Sequence, residues 1–237
     1  MALPFFYVEN LENKIITLDE DTSKHINVLR MQKGEQILLT DGKGKKAQAN
    51  IIDVNRKKCA VEIYSTQNEE QKTRKVSIAI SLLKNTARFE WFLEKATEIG
   101  VSEIIPIICN RTEKQNFKLE RMNAIVISAM LQSQQCWLPV LHQPVAFAIS
   151  LQNNYDQKFI AHCMPGQKTS LISQLFHQST TQLILIGPEG DFTQAEIEKA
   201  LLQNFQPVTL GKTRLRTETA GIVAVTLLMT NATDRHL

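Results

Sequence analysis

Residues 183–220 read LILIGPEGDFTQAEIEKALLQNFQPVTLGKTRLRTETA. Two short apolar runs in this stretch, residues 183–186 and 207–210, each end at a glycine, and each is followed by a helical pattern. The pattern predicts two consecutive strand–loop–helix units of an α/β fold with a parallel sheet. Because ligands of open α/β sheets bind at the carboxyl ends of the strands, we expect the chemistry at these two glycine loops.

The first loop, residues 187–190, has the sequence GPEG. Its two glycines allow the backbone to approach a ligand closely, and Pro188 stiffens the turn. Thr193 and Glu196 have capping-box spacing, which predicts that a helix begins where the loop ends. The loop is neither a P-loop nor a GxGxxG fingerprint, which argues against ATP, GTP and NAD. By itself the GPEG sequence is equally compatible with a simple tight turn.

The second loop is cationic, with Lys212, Arg214 and Arg216 preceding a Thr-Glu-Thr helix start. Cations beside a helix amino terminus form a site for an anionic group. The following helix, residues 220–229, is almost wholly apolar and is predicted to be buried, so that an unpaired Arg216 beside it would be costly. Two interpretations are open: Glu218 pairs with Arg216, or Arg216 faces a substrate.

Upstream of these loops, apolar runs alternate with helical patterns. We predict strands at 76–83, 104–109 and 158–163 and helices around 89–99, 120–134 and 170–178. The alternation indicates a parallel sheet covered on both faces. Residues 1–72 instead contain short β-prone runs at 37–40, 47–54 and 59–64, with a helical or irregular insert at 25–31. Since residues 67–75 lack any apolar side chain, we predict two domains, residues 1–72 and 73–237.

Composition and charge exclude several classes of protein. The chain is 43% hydrophobic and 22% charged, as is ordinary for a soluble globular protein. Four cysteines without a CxxC pair, and histidines without ligand spacing, predict neither disulfides nor a metal site. No signal-peptide pattern or membrane-spanning run is visible, so we expect a cytoplasmic protein without membrane contact. Residues 30–58 hold eight cations and three anions, a local charge of +5 that fits either a phosphate-facing patch or a solvated face.

The motifs together resemble a known family. The segments KNTARFEWFLEKATEIGVSEIIP, LIGPEGDFTQAEIEKA and LGKTRLRTETAGIVA are similar to the bacterial ribosomal small-subunit RNA methyltransferase E family, and HINVLR and DGKG resemble its PUA-like domain. The resemblance implies a SPOUT-type α/β methyltransferase domain with a carboxyl-terminal deep trefoil knot, preceded by a small PUA-like β-barrel that binds RNA. It also implies a homodimer. Where many members have Gly-Arg, this chain has Gln134 and Gln135.

The resemblance further implies an activity and a set of site residues. The expected reaction is methylation of N3 of a uridine in 16S rRNA of the small ribosomal subunit, with S-adenosylmethionine (SAM) as cofactor and no metal. Arg216 is expected to stabilise charge on the base, while Glu218 or Glu189 either accepts the N3 proton or caps a helix end. The implied cofactor site contains His162, Ile186, Gly187, Pro188, Glu189, Gly190, Leu210, Gly211, Leu215, Arg216, Thr219 and Ala220.

The RNA contacts combine the resemblance with the cationic segments. The candidates are His25, Arg30, Lys43, Lys45, Arg88, Lys212 and Arg214. Three alternatives stay open: an RNA-binding ribosome assembly factor without catalysis, a SPOUT enzyme for another RNA, or a methyltransferase for small molecules or proteins. The first would not need both glycine loops, and the last would have little use for a β-domain. For His162, a place in the cofactor loop and a satisfied core position are both possible.

Overall fold

A computed structural model describes residues 3–71, 73–152, 154–175 and 180–230 and divides the chain into two compact units. The first unit contains the chain up to Gln71 together with Met130–Leu138, and the second contains the remainder. The ranges predicted from the sequence, 1–72 and 73–237, did not include this return of Met130–Leu138 to the first unit. Within the described ranges, no helix is long and apolar enough to cross a membrane.

The first unit is built on a mixed β-sheet. Its elements are β1 (Phe5–Tyr7), β2 (Ile15–Thr17), α1 (Glu20–Val28), β3 (Gln36–Thr40), β4 (Lys45–Asp53) and β5 (Ala60–Asn68). The strand order is β1-β3-β4-β5-β2, and only the β1–β3 pairing is parallel. Along β4 every second side chain, at Ala47, Ala49 and Ile51, enters the core. In the described residues β1 and β2 do not pair, so hydrogen bonds do not close the predicted barrel.

Helix α1 differs from the helical insert predicted at 25–31. It begins at Glu20 because the Asp19 side chain accepts a hydrogen bond from the Thr22 backbone N–H at 2.7 Å, an N-cap that the sequence analysis overlooked. It ends at Val28, and Arg30 has a left-handed backbone with φ of 57°. The prediction therefore missed the start of the helix at Glu20, while residues 29–31 are the irregular part of the insert.

Met130–Leu138 packs into the first unit through Trp137. The indole N–H donates to the Glu69 carbonyl at 3.1 Å. The ring covers Gly44, where a Cβ atom would lie 2.4 Å from the indole, and Gly44 also has a positive φ of 92°. Glycine at this position therefore satisfies both the backbone conformation and the close approach of Trp137.

The second unit is an α/β sheet with parallel pairings. Its elements are β6 (Lys75–Ser81), α2 (Thr86–Ile99), β7 (Glu103–Ile108), α3 (Leu119–Gln132, whose last turn enters the first unit), β8 (Val140–Leu141), β9 (Val145–Ala146), α4 (Phe147–Ser150), β10 (Gln157–Ala161), β11 (Thr169–Ser170), β12 (Thr181–Ile186), α5 (Gln194–Leu202), β13 (Gln206–Thr209) and α6 (Thr217–Thr230). The order is β11-β13-β10-β12-β6-β7-β8, with β9 also on β7, and every pairing is parallel. The predicted parallel α/β sheet is confirmed.

Helices cover both faces of this sheet. On one face Phe192 and α5 pack on buried side chains of β6, β7, β10 and β12. On the other face α6 lies against α2 and β6 so closely that a Cβ atom on Gly221 would be 2.6 Å from the Phe92 ring. The helix predicted at 170–178 is wrong in its first part, where β11 is followed by a 3-10 turn at Leu171–Gln174. Residues 176–179 lie outside the described part of the chain.

The Glu103 carboxylate joins β7 to three neighbouring segments. It accepts hydrogen bonds from the Ser77 and Tyr155 hydroxyls, each at 2.6 Å, and contacts His142 Nε2 at 2.7 Å. Burial acts to raise the Glu103 pKa, but these three partners together lower it below its usual value. The charged form is therefore stabilised in the folded protein.

We expect Glu103→Gln to lower the free energy of unfolding at neutral pH by about 2 kcal/mol, because a neutral amide replaces the carboxylate that accepts the charge-assisted hydrogen bonds. Since the folded-state pKa is lowered, this contribution is present above the unfolded-state pKa and is lost as the pH falls through the folded-state value. Urea unfolding at pH 7 and in acid measures both effects. Glu94→Gln, at a more exposed pair with Lys95, is the matched control. An equal effect of Glu103→Gln in acid and at pH 7 would contradict this account.

Candidate active site

A cavity of about 870 Å³ opens in the second unit, where β10, β12 and β13 end. Strand β12 ends at the predicted residue, Ile186, whereas β10 and β13 end slightly before their predicted ends. The segments that follow the three strands form three neighbouring loops. The cavity is lined by Arg88, Ala161, His162, Cys163, Lys168, Ile186, Gly187, Pro188, Glu189, Asp191 and the run from Val208 to Glu218, with Ala220. The site predicted at the carboxyl ends of the strands is thus a real concavity.

The GPEG loop is held from outside by hydrogen bonds to its polar groups. Glu189 Oε1 accepts from the Lys84 backbone N–H at 3.1 Å, and the Gly190 carbonyl accepts from Arg111 Nη1 at 2.6 Å. Gly187 packs under the Phe192 ring, which a Cβ atom would approach to 3.1 Å. The loop is therefore anchored on both sides while its backbone stays at the cavity wall.

Asp191 connects this loop to the end of β10. Its backbone is left-handed, with φ of 64°, and its Oδ2 accepts from the Cys163 backbone N–H at 2.8 Å. Asp191 was not among the site residues predicted from the sequence, although an aspartate directly after Gly190 tolerates the left-handed conformation that a tight loop exit needs. The first predicted helix of this region begins as expected, because Thr193 and Glu196 form the capping box.

The β10 loop presents a histidine to the cavity. Lys168 Nζ donates to the His162 and Met164 carbonyls, at 3.0 and 2.7 Å, and so fixes the curve of the loop. Burial, followed by the nearby charge of Lys168, lowers the His162 pKa, against a smaller opposing effect of Asp191. His162 Nδ1 is buried without a hydrogen-bond partner in the described residues. A neutral imidazole with an unused nitrogen is suited to a polar ligand atom, so the satisfied-core alternative is disfavoured.

The β13 loop carries three exposed cations. Thr209 Oγ1 donates to the Gly211 carbonyl at 2.8 Å and closes the start of the loop. Lys212, Arg214 and Arg216 all line the cavity, and in the part of the chain that the structure describes none of them forms an ion pair. The loop therefore combines free positive charge with the amino terminus of α6.

Of the two interpretations of Arg216, the structure contradicts the pair with Glu218 and leaves the substrate-facing one open. Arg216 is exposed, because it precedes the first turn of α6 and stays outside the helix packing. Glu218 is the buried member: its Oε1 lies 3.7 Å from Arg88 Nε, and its Oε2 is buried without a partner among the described residues. The predicted Glu218–Arg216 pair does not form, since Glu218 instead lies next to Arg88 of α2. This leaves Arg216 free to face a ligand.

Most of the predicted site residues are brought together. Apart from Gly190 and Thr219, every predicted cofactor residue lines the cavity, as do Arg88, Lys212, Arg214 and Glu218. The other RNA candidates belong to the first unit, where Arg30 and Lys43 are exposed and His25 packs edge-on against the Phe6 ring. Lys45 is engaged, because its Nζ donates to the Leu11 carbonyl at 3.1 Å. The described residues contain no cluster of three or more His, Cys, Asp or Glu that would suit a metal.

Two family models match the chain. Residues 69–229 match an RNA methyltransferase domain, and residues 18–64 match an RNA methyltransferase PUA domain. Among curated relatives, the ribosomal RNA small subunit methyltransferase E of Synechocystis is 35% identical over 84% of this chain and 67% of its own length. The protein of the same name from Bacillus subtilis is 30% identical over 88% of this chain and 87% of its own length.

Solved structures of rRNA methyltransferases are also similar to this chain. A probable rRNA methyltransferase from Porphyromonas gingivalis is 39% identical, with a TM-score of 0.89 over 96% of this chain and 98% of that chain. A ribosomal RNA small subunit methyltransferase E from Neisseria gonorrhoeae, solved with bound S-adenosyl methionine, is 29% identical, with a TM-score of 0.88 over 97% of this chain and 98% of that chain. The similarity therefore extends over both units.

Proposed function

We propose the activity of this chain from one premise: the chain belongs to the ribosomal RNA small subunit methyltransferase E family. It transfers a methyl group from SAM to 16S rRNA of the small ribosomal subunit, and the acceptor is N3 of a uridine. The observation that carries the proposal is the cavity at the ends of β10, β12 and β13, where the anchored GPEG loop and the loop with Lys212, Arg214 and Arg216 line one space. Within the described residues these three cations form no ion pair. Such a site suits a compact polar cofactor next to an anionic polymer.

The residues at the cavity fit SAM. Ile186, Gly187 and Leu210 line the cavity, and their backbone groups would hold the adenine, which Gly187 lets approach closely because it has no side chain. The unused, buried Nδ1 of His162 offers one further hydrogen bond to a polar atom of the cofactor. When bound, SAM supplies an electrophilic methyl group, so that the protein itself needs neither a metal nor a covalent intermediate.

We expect Arg111→Met to weaken SAM binding about fivefold, because it keeps the aliphatic stem under Gly190 but removes the charge-assisted hydrogen bond to the loop. Isothermal titration with SAM measures the change. Lys114→Met, at an exposed neighbouring position, is the control and should leave the affinity within twofold. If Arg111→Met binds SAM like the unaltered protein, the loop does not depend on this anchor.

The chain's own contribution to catalysis concerns the uridine base. N3–H is a weak acid and has to lose its proton, and negative charge then spreads onto O2 and O4. Arg216 is exposed at the cavity and has no acidic partner in the described residues, so it would donate a charge-assisted hydrogen bond to one of those oxygens. The amino terminus of α6, directly after Arg216, adds favourable potential for an anion.

Of the two candidate bases, we assign the proton to Glu218. Its Oε2 is buried at the cavity wall with no partner among the described residues, while Arg88 holds the other oxygen. Glu189 is exposed, and its Oε1 already accepts the Lys84 N–H, which fits a role in fixing the loop. Arg88 is then a positioning residue for Glu218 rather than a primary RNA contact.

The remaining RNA candidates would serve to capture the substrate. Lys212 and Arg214 extend the positive surface at the cavity mouth, and a uridine has to leave its stack to enter. In the first unit, Arg30 and Lys43 are exposed and available to phosphates, whereas the hydrogen bond of Lys45 to Leu11 makes it the weakest candidate. His25 stays a proposal beside them.

The knot and the homodimer are proposals as well. The order β13-β10-β12 places the strand nearest the carboxyl terminus outside two earlier ones, which is compatible with a chain that threads through its own loop. Helix α6 buries one face and leaves Ile222, Val223 and Leu227 only half-buried, which is compatible with coverage by a second copy. Sedimentation of the full-length chain tests the dimer.

Methylation of 16S rRNA in vitro tests the proposed function. The full-length chain, labelled SAM and three acceptors are combined: assembled small subunits, naked 16S rRNA and bulk protein. Nucleoside mass spectrometry of the product should show N3-methyluridine. Label in protein alone, or a different methylated nucleoside, would replace the proposed acceptor. Absence of both SAM binding and label in a folded chain would instead support the non-catalytic RNA-binding alternative.

A further inference from the structure

A second cavity, distinct from the active site, lies within the first unit. It has a volume of about 270 Å³, and we refer to it as the β-domain cavity. Its walls come from Leu3, Leu38, Lys46, Gln48, Ser65 and Gln67, with Gln134 from the segment after α3. The volume is slightly below the range of about 300–1,000 Å³ that encloses drug-sized ligands, and it suits a group the size of one nucleobase.

The polar walls result from strand register. Gln48 pairs with Leu38 on one side and Ser65 on the other, and Lys46 pairs with Gln67, so that these side chains share the face opposite the buried Ala47 and Ala49. In the described residues, the side chains of Gln48, Gln67 and Ser65 form no hydrogen bond. Each amide offers both a donor and an acceptor, which is the chemistry that recognises the edge of a base.

One cation is fixed at this cavity. Lys46 Nζ lies over the Phe5 ring, 5.3 Å from its centroid, which restrains a long side chain beside the amides. Strand alternation sends the neighbouring Lys45 to the opposite face, where it donates to Leu11. Lys46 was absent from the RNA candidates chosen from the sequence, but it is the lysine of this strand that faces the polar cavity.

Gln134 completes the wall from outside the sheet. Its backbone is left-handed, with φ of 56°, a conformation that costs energy in a residue other than glycine. This turn directs the chain from α3 back toward Trp137 and leaves the exposed Gln134 side chain at the cavity without a hydrogen bond in the described part of the chain. A third free amide thus faces the same space.

We propose that the β-domain cavity binds one unpaired nucleotide of the RNA substrate. The base lies against Gln48, Gln67 and Gln134, and a flanking phosphate contacts Lys46. The inference deepens the proposed function, on which it rests for the identity of the polymer. It adds a subsite that recognises single-stranded RNA apart from the methylation cavity.

The test uses the full-length chain with the double substitution Gln48→Ala/Gln67→Ala. Fluorescence anisotropy measures binding of a uridine-rich single-stranded RNA decamer and of an RNA duplex of equal charge. We expect about tenfold weaker binding of the single strand, because two amides lose their hydrogen bonds to a base, and little change for the duplex. Lys46→Ala should weaken both and reduce the slope of log affinity against log salt by about one.

Asn50→Ala is the matched control, since Asn50 is an amide on the same face of β4 that does not line the cavity. Circular dichroism and thermal melting of every variant confirm that the first unit is folded, and SAM affinity confirms the same for the second unit. Unchanged single-strand binding in the folded double variant would overturn the subsite. So would weaker binding to assembled subunits with unchanged binding to RNA, because the cavity would then contact a protein. Should the unaltered chain methylate no rRNA while the double variant still loses single-strand binding, only the proposed function fails.

Discussion

Replacing Arg216 with alanine is expected to lower the turnover of rRNA methylation about 100-fold, while SAM affinity changes by less than about twofold. Arg216 lines the cavity, is exposed, and has no acidic partner in the described residues, so its guanidinium is available for a substrate. Charge on O2 and O4 of the base develops only as the N3 proton departs. A donor aimed at those oxygens therefore acts mainly on the transition state.

Single-turnover methylation with saturating SAM and RNA measures this effect, and titration with SAM measures the affinity. Arg214→Ala is the matched control: it removes an exposed cation of the same loop, two residues away, and should mainly raise KM for RNA. Arg216→Lys should recover only part of the rate, because an ammonium lacks the planar, fixed donor geometry of a guanidinium. Equal losses of turnover in the Arg214 and Arg216 variants would remove Arg216 from the chemistry.

The glycine-edged strands were the part of the fold that the sequence predicted best. Apolar runs ending at Gly187 and Gly211 became β12 and β13, and the Thr193–Glu196 spacing became a capping box. These features depend on residues within a few positions of each other, so local pattern is sufficient to identify them. The parallel pairing followed because strands that alternate with helices have few other arrangements.

The side-chain contacts that shape the site were harder to predict from the sequence. Arg111 precedes Gly190 by 79 positions and Lys84 precedes Glu189 by 105, and nothing local to either residue indicates its partner. The same reason explains why the alternative of an Arg216–Glu218 pair stayed open: the two residues are neighbours along the chain, whereas the residue that lies next to Glu218 in space is Arg88. The strand pattern together with the family resemblance predicted which residues reach the cavity better than how those residues pair.

The division of the chain into two units also depends on a long-range contact that the sequence did not predict. The sequence marked a boundary near residue 72 by the absence of apolar side chains, but Met130–Leu138 lies with the first unit through Trp137 and Gly44. A tryptophan in a short segment of mixed apolar and polar residues has no pattern that shows which unit it joins. The β-domain cavity was missed for this reason, because one of its walls comes from Gln134 in that segment.

Replacing Gly221 with valine is expected to lower the free energy of unfolding by about 3 kcal/mol, the upper end of the range for overpacking a core. A Cβ atom at this position would lie 2.6 Å from Phe92 Cε2 and 2.9 Å from Ile80 Cδ1, both on elements that α6 covers. Phe92 and Ile80 are fully buried, so neither side chain can move aside into solvent. Urea unfolding and thermal melting measure the loss, and activity should fall with it because α6 carries Glu218.

The substitution Gly221→Ala tests the crowding more directly, because helix propensity and crowding predict stability changes of opposite sign. Alanine favours a helix over glycine by about 1 kcal/mol, so at an open position this substitution would stabilise α6. Here we expect it to destabilise the protein, because the contact with the Phe92 ring outweighs the helical preference. Thr226→Val is the control: it keeps the β-branched shape at a half-buried position of the same helix and replaces only the hydroxyl that donates to the Ile222 carbonyl, so stability should change by less than about 1 kcal/mol. If crowding is the cause, Gly221→Ala should cost less when Phe92 is already leucine, since the smaller side chain leaves room for the methyl group.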